Sequence, residues 1–569
     1  MLLMASMTVG MLAGCGGGDG DSAEDATEDM ADSQGGGSQA ASQDADFSKH
    51  LTISAWVYTD DDDDNLMENF NENPAVQYLS KKFNVTFDWQ IPPTGSETDN
   101  FNLMVGSGET TDVFNVLYST QSVASLYEDG VILDMAPYVE KYAPNLKAFI
   151  EADETRKKNA YTDNGELLYI SKVPDEKIVM WGGLVYRRDI LEAMTDGNVQ
   201  FPSGKEAPET IEDWDYMLDL MKQYFDASGL TDTACLIIPS SGYFVTGEIL
   251  MGFGVGGGHY IDNGQVKYGL LEDGFYNYLV KMKEWYEKGY VYQDFASRTT
   301  DLLYMPNPAL TYSGAAGIWY GLQAQLGEAL SVPEYNLQMN VQPMISPVDT
   351  EHNATSVNAS SLQYESTGFR IGSDGWCISA NADEDVVIRW MQICDYLFTE
   401  EGAMVKSYGL TAEQAEGIAL YEKLGLTDGA YWFDDNGKFV YNPLLDPYSP
   451  DASYKEIGLR LERLPGLAIV RYSKEGTKEE YVAADKVWRT NGFSDLYPQE
   501  IEFTSEENNT MTALNTACSD YINSMVPKFI MGTEELTPES FEAFKNQIRS
   551  LGMDTIMEIY QAAYDKYVE

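Results

Sequence analysis

The run Leu51–Tyr58, LTISAWVY, is rich in β-branched and aromatic residues and predicts the first strand of a folded body. A helical stretch follows over 73–83, and a second strand-like run, NVTFDW, occupies 84–89. A third apolar run, DVFNVL at 112–117, comes after a further helical segment around 101–108. Strands that alternate with helices in this way form βαβ units on a parallel sheet.

The same alternation begins again in the middle of the chain. Ile178–Tyr186 is strand-like, and Arg187–Met194 opens a helix. Thr210, with Asp213 three residues later, is the capping signature of another helix. Phe275–Lys288 is amphipathic at helical spacing. We therefore predict an α/β fold with two successive blocks, each with its own parallel sheet. Ligands of open parallel sheets bind beyond the carboxyl ends of the strands, so we expect a site in a cleft between two lobes.

Length and charge limit the classes of function. The 569 residues are too many for one ordinary domain. Lys and Arg number 36 against 91 Asp and Glu, which gives a formal net charge of −55. Such a chain repels phosphate backbones, so we expect no nucleic-acid partner. Aromatic residues make up 12%, and Tyr and Trp often serve as ligand platforms.

The first fifteen residues indicate where the protein is located in relation to the membrane. The apolar run LLMASMTVGML is too short to span a bilayer, and it leads to Leu12-Ala13-Gly14-Cys15. This end resembles a bacterial lipobox, whose cysteine is lipidated after cleavage of the segment before it. Residues 1–14 are then a signal peptide. The Gly-, Ser- and acid-rich residues 15–47 are predicted to be a disordered tether.

Signatures of catalysis and metal binding are weak. The sequence has only three His, no G-x-S-x-G elbow, no HExxH, and no P-loop. The run Asp60–Asp64 lacks the Gly and Glu that an EF-hand needs at its sixth and twelfth places, so an acidic, solvated loop is favoured over calcium binding. We predict no catalytic residue, no metal site and no cofactor. The other four cysteines are Cys235, Cys377, Cys394 and Cys518. Their spacing matches no metal-binding or redox motif, which favours buried free thiols, with a disulfide as the alternative.

Six motifs, in order, carry a resemblance to a known family. They are Leu103–Glu109 with Asp112–Phe114, Ser125–Asp134, Leu184–Asp189, Lys288–Phe295, Ser313–Tyr320, and Gly375–Ser379 with Phe398–Gly402. Together they resemble the family 1 extracellular solute-binding proteins of bacterial ABC importers, in their lipoprotein subgroup. Thr111 stands where that family often has Pro.

This resemblance implies a type II periplasmic-binding-protein-like fold, with hinge-linked lobes that each have a central sheet flanked by helices. We expect lobe 1 over 48–172 and 336–400, and lobe 2 over 173–335 and 401–569. The resemblance implies a monomer that is not an enzyme, anchored by its lipid to the extracellular face of the cell membrane. It would carry a solute to the permease subunits of an ABC transporter.

An aromatic-rich, acidic chain without basic patches suits a neutral oligosaccharide, because sugars stack on rings and pair their hydroxyls with polar groups. A peptide or another solute, and a surface glycoside hydrolase with two carboxylates, are the alternatives. The candidate ligand residues lie near strand ends or in loops that resemble cleft loops of the family: Trp56, Tyr58, Trp181, Arg187, Tyr243, Phe244, Trp319, Tyr320, Asp374 and Trp376. Core packing is the alternative for each, and for Arg187 an ion pair with a nearby acid. On the amphipathic helices, core packing is favoured for Trp214, Trp285 and Trp390.

Overall fold

The computed structural model describes residues 47–58, 67, 69–162, 164–176, 180–299, 307–328, 338–362, 369, 374–446, 453–454, 459–472, 478–499, 501 and 503–569. The chain divides into two units. Among the described residues, the first unit comprises those within 47–176 and 369–472, and the second comprises those within 180–362 and 478–569. The predicted signal peptide, the lipidation at Cys15, residues 15–46 of the tether and the run Asp60–Asp64 lie outside the described residues.

Fourteen strands are found in the described part of the chain. They are β1 (Leu51–Trp56), β2 (Val85–Gln90), β3 (Val113–Asn115), β4 (Lys172–Pro174), β5 (Gly182–Arg187), β6 (Ala234–Leu236), β7 (His259–Asp262), β8 (Gln265–Tyr268), β9 (Ala316–Leu322), β10 (Val341–Pro343), β11 (Trp376–Ile378), β12 (Tyr431–Phe433), β13 (Phe439–Tyr441) and β14 (Gly466–Ala468).

The α-helices of the same residues pack around these strands. They are α1 (Pro74–Phe83), α2 (Glu97–Ser107), α3 (Val123–Glu128), α4 (Ala136–Tyr142), α5 (Pro144–Glu151), α6 (Glu154–Ala160), α7 (Arg188–Met194), α8 (Ile211–Ser228), α9 (Asp273–Glu287), α10 (Pro308–Ser313), α11 (Glu384–Leu397), α12 (Glu400–Tyr408), α13 (Ala419–Leu424), α14 (Glu479–Trp488), α15 (Ser505–Met531), α16 (Pro538–Ile548) and α17 (Asp554–Val568). Among the described residues, no helix is long and apolar enough to cross a membrane.

The first unit contains the predicted βαβ arrangement. Its sheet has the order β11-β3-β1-β2, in which β1 is parallel to both β2 and β3. The edge strand β11 is antiparallel to β3, so this sheet is mixed and not wholly parallel as predicted. Local chemistry sets the ends of α1: the Asn73 side chain accepts from the amides of Ala75 and Val76, and Asn84 ends the helix in the left-handed region. The chain enters β2 directly after this turn, so helix and strand lengths follow from the sequence.

The second unit differs from the prediction of a parallel sheet. Its sheet has the order β10-β5-β9-β6, with β5 antiparallel to β9 and to β10, and β6 parallel to β9. The apolar run of β5 indicates a strand buried on both faces, but burial alone does not fix the direction of the neighbouring strand. The capping box of Thr210 and Asp213 at the start of α8 is confirmed.

Glycine at position 183 permits a close approach to β5. A Cβ atom there would lie 2.3 Å from Cδ1 of Trp488, whose indole Nε1–H donates to the carbonyl oxygen of Leu184 at 3.0 Å. The Trp488 ring therefore lies directly against the strand, and α14 is held on the sheet.

The division of the chain differs from the sequence-based boundaries in two segments. Residues 336–365 belong to the second unit because β10 pairs with β5. Residues 401–476 belong to the first unit because β14 pairs in parallel with β4 and α12 packs against β14 and α11. Strand partners far apart in sequence decide both assignments.

Each unit has its own apolar core. Trp390 is buried in the first unit, and Trp214 and Trp285 stack at 5.9 Å in the second, so the predicted core roles of these three residues are confirmed. The four cysteines of the described body are free and buried, which confirms that prediction as well.

Candidate functional site

The carboxyl edge of the first sheet brings together two aromatic residues. Tyr58 lies two residues beyond β1, and Tyr118 lies three residues beyond β3. Their rings meet edge to face with centroids 5.0 Å apart. Because β1 and β3 are parallel neighbours, their carboxyl ends share one edge, which is where open α/β sheets bind ligands.

Asp374 lies buried beneath this edge and holds it in place. Its Oδ1 accepts hydrogen bonds from the Tyr58 hydroxyl at 2.8 Å and from Nδ2 of Asn115 at 3.1 Å. Its Oδ2 faces Nζ of Lys172 at 3.4 Å and Nη1 of Arg463 at 3.8 Å. Burial raises the pKa of Asp374, and the charge of Lys172 opposes that shift. Asp374 thus supports the edge from below and presents no exposed carboxylate.

A second group of charges lies behind Asp374. Lys172 pairs with Glu462 at 2.6 Å between Nζ and Oε1, and the guanidinium of Arg463 lies over the Tyr58 ring at 4.6 Å. Burial alone would raise the pKa of Glu462, but Lys172, Arg460 and Lys406 outweigh it and lower the pKa. Glu462 is therefore an anion over the whole physiological pH range.

The surface above this network is polar and aromatic. Tyr118 is half-buried, and the Thr120 hydroxyl donates to Oδ1 of Asn102 at 2.9 Å. Burial and the nearby Glu97 raise the pKa of Tyr118, which keeps its hydroxyl protonated. An aromatic face with the Glu97 carboxylate nearby can stack on a sugar ring and bind its hydroxyls. Tyr118 was not among the predicted ligand residues, although its position just after the run 112–117 could have identified it.

The second unit offers a comparable edge where β6 and β9 end. Trp181 is half-buried beside β9; its ring lies 6.0 Å from that of Tyr320, and its carbonyl oxygen accepts from the Gln323 amide at 2.8 Å. Ser240 and Ser241 follow β6 and are partly exposed. Of the aromatic residues predicted to bind ligand in this unit, Trp181 has the largest accessible surface.

The other predicted aromatic residues are buried, and so is Tyr58, which is 3% exposed. Trp319 is 0% exposed and its indole N–H donates to Oε1 of Gln325, while the Tyr320 hydroxyl, also 0% exposed, donates to the carbonyl oxygen of Gly182. Tyr243 and Phe244 lie in the same unit's interior. Rings that are enclosed and already hydrogen-bonded present no face to a solute in this structure, which favours core packing, the alternative that the sequence left open.

Three further candidates serve local structure. The indole of Trp56 donates to Asn100 at 2.8 Å, and that of Trp376 donates to the carbonyl oxygen of Arg463 at 2.6 Å. Arg187 is buried and its Nε donates to Oδ1 of Asp189 at 2.8 Å, which confirms the ion pair considered for it.

A buried carboxyl group lies in the loop that follows β6. Glu248 is fully buried; Oε1 accepts from the Ser360 hydroxyl, and Oε2 has no hydrogen-bond partner among the described residues. Burial raises the pKa of Glu248 to about 7. Tyr243 and Ile249 of this loop have φ of 64° and 68°, which is strained backbone for both residues.

No group of three or more His, Cys, Asp or Glu side chains in the described part of the chain is arranged to hold a metal ion. The run Asp60–Asp64, where calcium was considered and disfavoured, lies outside those residues. Each of the two strand edges therefore presents aromatic and polar groups.

Comparison with known proteins gives three findings. Residues 65–411, more than half of the chain, match the model of the family described as bacterial extracellular solute-binding protein. Lipoprotein LipO of Bacillus subtilis (strain 168) is 25% identical over 225 residues, which cover 39% of this chain and 41% of LipO. The match thus spans less than half of LipO's length.

Solved structures share the fold over 91% of this chain. An HMO-binding, ABC-transporter-associated solute-binding protein from Bifidobacterium longum infantis has a TM-score of 0.66 at 16% identity, with 99% of its chain covered. The substrate-binding protein FusA of S. pneumoniae, solved with kestose, has a TM-score of 0.64 at 16% identity and the same coverage. At these identities, the likeness is one of fold.

Proposed function

Because the chain belongs to the bacterial extracellular solute-binding proteins, we propose that it captures an oligosaccharide and delivers it unaltered to the permease of an ABC transporter. The predicted α/β solute-binding fold and family are confirmed, and the chain is a binding protein and not an enzyme. The glycoside hydrolase alternative is thereby set aside.

One observation carries the choice of solute. The half-buried ring of Tyr118 lies at the carboxyl edge of β1 and β3, edge to face with Tyr58 and close to the carboxylate of Glu97. Together with a net charge of −55, this composition favours a neutral saccharide over a phosphorylated or polyanionic one. Relatives of the same fold include an HMO-binding protein and a protein solved with kestose, which agrees with a saccharide as the solute.

Replacement of Tyr118 by Ala tests the proposal. A panel of neutral oligosaccharides and of peptides is first screened by thermal shift, in which a binder at a hundredfold excess over Kd adds about 2.7 kcal/mol to the unfolding free energy. We expect Tyr118→Ala to weaken binding of the identified sugar by roughly thirtyfold, since truncation of an aromatic anchor at a binding surface costs about 2 kcal/mol.

Tyr138→Ala is the matched control, because Tyr138 is also half-buried but lies on α4 and packs on Tyr142. Calorimetric titration should give unchanged affinity for this control. Stabilisation by peptides and by no sugar would overturn the choice of solute and favour the peptide alternative.

We also propose that lipidated Cys15 anchors the protein at the extracellular face of the membrane, followed by a tether of Gly, Ser and acidic residues. The LipO relative is itself a lipoprotein, which supports this proposal. Cys15→Ser should move the protein from the membrane fraction to the medium of the host cells.

A further inference from the structure

The loop 240–249 of the second unit follows β6 and starts at the strand edge of that unit; we call it the edge loop. Its Ser241 is partly exposed, and Val245, near its middle, is 53% exposed. Glu248, close to its end, is fully buried. The loop therefore presents some side chains to solvent and is anchored inside the unit by others.

The backbone of the edge loop is strained at two positions. Tyr243 has φ of 64°. Ile249 has φ of 68° with ψ of −49°, which is close to the rare γ-turn of positive φ and is especially unfavourable for a β-branched residue. Such conformations persist only where the surrounding structure holds them. The shape of the loop therefore depends on what it packs against.

Two neutral hydrogen bonds hold the edge loop against the segment 346–361. The amide of Ile249 donates to Oγ of Ser346 at 3.2 Å. The amide of Ser361 donates to the carbonyl oxygen of Thr246 at 3.3 Å. Neither bond changes with pH, so any pH dependence of this contact must come from another group.

The Glu248 side chain makes a third link to the same segment. Its Oε1 accepts from the hydroxyl of Ser360, and its Oε2 has no hydrogen-bond partner among the described residues. No cation of the described residues pairs with this carboxyl group. Burial raises the pKa of Glu248 to about 7, and the bond from Ser360 opposes that shift. The link is therefore made by a carboxyl group that can lose its proton near neutral pH.

The ionisable groups that surround Glu248 within the unit are tyrosines. Tyr243 and Tyr320 interact with its carboxyl group, and Tyr278 adjoins Tyr243. Burial raises the pKa of all three hydroxyls, so they stay neutral while Glu248 titrates. They supply no positive charge to stabilise the Glu248 anion.

Charged groups on the neighbouring segments are engaged elsewhere. Oδ2 of Asp349 lies 2.7 Å from Nδ1 of His352. Asp495 accepts from a backbone amide of the segment 346–361, at position 358, and Arg489 pairs with Asp485 at 2.9 Å. Loss of the proton from Glu248 would therefore leave a buried carboxylate without a nearby counter-charge.

We propose that Glu248 is a positioning residue of the edge loop: its protonated carboxyl group holds the loop against the segment 346–361, and loss of the proton to solvent makes the loop leave that segment until water reaches the carboxylate. A buried anion without a cation is costly, and the strained backbone makes opening of the loop the less costly alternative. The consequence for solute capture rests on the proposed function, because the edge loop lies at one of the two candidate ligand edges.

Hydrogen exchange of the free protein tests this response without any solute. Peptides that contain the edge loop are followed by mass spectrometry between pH 5 and pH 8, and each wild-type rate is divided by that of Glu248→Gln at the same pH. Gln keeps the acceptor for Ser360 but does not ionise, and the intrinsic pH dependence of exchange cancels in the ratio. We expect the ratio to rise roughly tenfold from pH 6 to pH 8 and to level off above pH 7, because the closed loop binds the proton more tightly than the open loop.

Two further variants make the outcome decisive. Glu351→Gln is the matched control, because Glu351 is an exposed acid of the neighbouring segment; its exchange should follow that of wild type at every pH. Ser360→Ala removes a donor that stabilises the Glu248 anion in the closed loop, so the levelling-off should move to higher pH. This shift is measured against wild type and decides the question even if Glu248→Gln fails to fold. A ratio that does not vary with pH, or a levelling-off that Ser360→Ala leaves in place, overturns the proposal.

The sugar identified by the thermal-shift screen tests the consequence for binding. We expect the affinity of wild type to fall roughly threefold from pH 6 to pH 8, since a loop closed in about one third of the molecules weakens the apparent affinity by that factor. The affinity of Glu248→Gln should not vary with pH. Loop opening without a change in affinity overturns the positioning role. Because the exchange experiment contains no sugar, failure of the proposed solute is distinguishable from failure of this inference.

Discussion

The two strand edges differ in what holds their buried aromatic residues in place. In the first unit, Tyr58 is supported by Asp374, whose Oδ2 faces Lys172 and Arg463. In the second unit, Trp319 and Tyr320 are supported by neutral groups, the Gln325 amide and the Gly182 carbonyl oxygen. Both units therefore have aromatic residues near the end of a strand. In the first unit such a residue is held by charged groups, and in the second unit such residues are packed in an apolar core.

The largest effect should come from Trp319→Ala in the second unit. Removal of a fully buried indole should lower the unfolding free energy by about 3–5 kcal/mol, through lost apolar burial and the cavity left behind. Calorimetric melting of the free protein measures this loss. Trp181→Ala is the control, because the half-buried Trp181 should cost only about 1 kcal/mol. A free protein of unchanged stability with impaired solute binding would instead restore Trp319 as a ligand residue.

The next largest effect is on the pH dependence of stability. It tests whether a buried carboxyl group of the second unit is neutral in the folded protein, in contrast to the charged groups of the first unit. Burial raises the pKa of Glu248 from 4.5 in the unfolded chain to about 7, so the folded protein binds more protons between these values. The contribution of Glu248 to stability is fully present below pH 4.5 and is lost as pH rises to 7. Tyr243 and Tyr320, the ionisable groups that interact with Glu248, are neutral over this window because burial raises their pKa values.

Replacement by Gln removes this titration and preserves the shape of the side chain. We expect the stability of wild type relative to Glu248→Gln to fall by about 3 kcal/mol from pH 4.5 to pH 8. Melting temperatures at four pH values measure the difference, and Glu351→Gln, at an exposed position, is the control. A difference that does not vary with pH would mean that Glu248 is ionised, or neutral, throughout.

Local patterns predicted much of the first unit. The order β1, α1, β2, α2, β3 follows from the runs between residues 51 and 117, because strand periodicity and the caps of α1 are encoded within a few residues. The direction of β9 beside β5 and the pairing of β14 with β4 depend on partners more than a hundred residues away, and neither was predicted.

The candidate site was predicted less completely for a related reason. Position after a strand identified Tyr58 and Trp181, but aromatic type could not separate the half-buried ring of Trp181 from enclosed rings such as those of Tyr58 and Trp319. Asp374 was singled out from its place at the start of a strand. Its contacts were not predicted, because Tyr58 is 316 residues away in the sequence and Lys172 belongs to another distant segment. Exposure and long-range pairing are tertiary properties that a single sequence does not encode locally.

The smallest effect comes from removing one hydroxyl at each edge. Tyr58→Phe takes a donor from a buried carboxylate and should cost about 1–3 kcal/mol of unfolding free energy, because hydrogen bonds to charged groups are the stronger ones. Tyr320→Phe takes a donor from a backbone carbonyl oxygen and should cost about 0.5–1.5 kcal/mol. The two variants differ from wild type by the same atom, so the ratio of their costs in denaturant titrations isolates the charge of the acceptor. Equal costs would mean that Asp374 is already compensated by Lys172 and Asn115, and that the supports of the two edges differ in composition but not in energy.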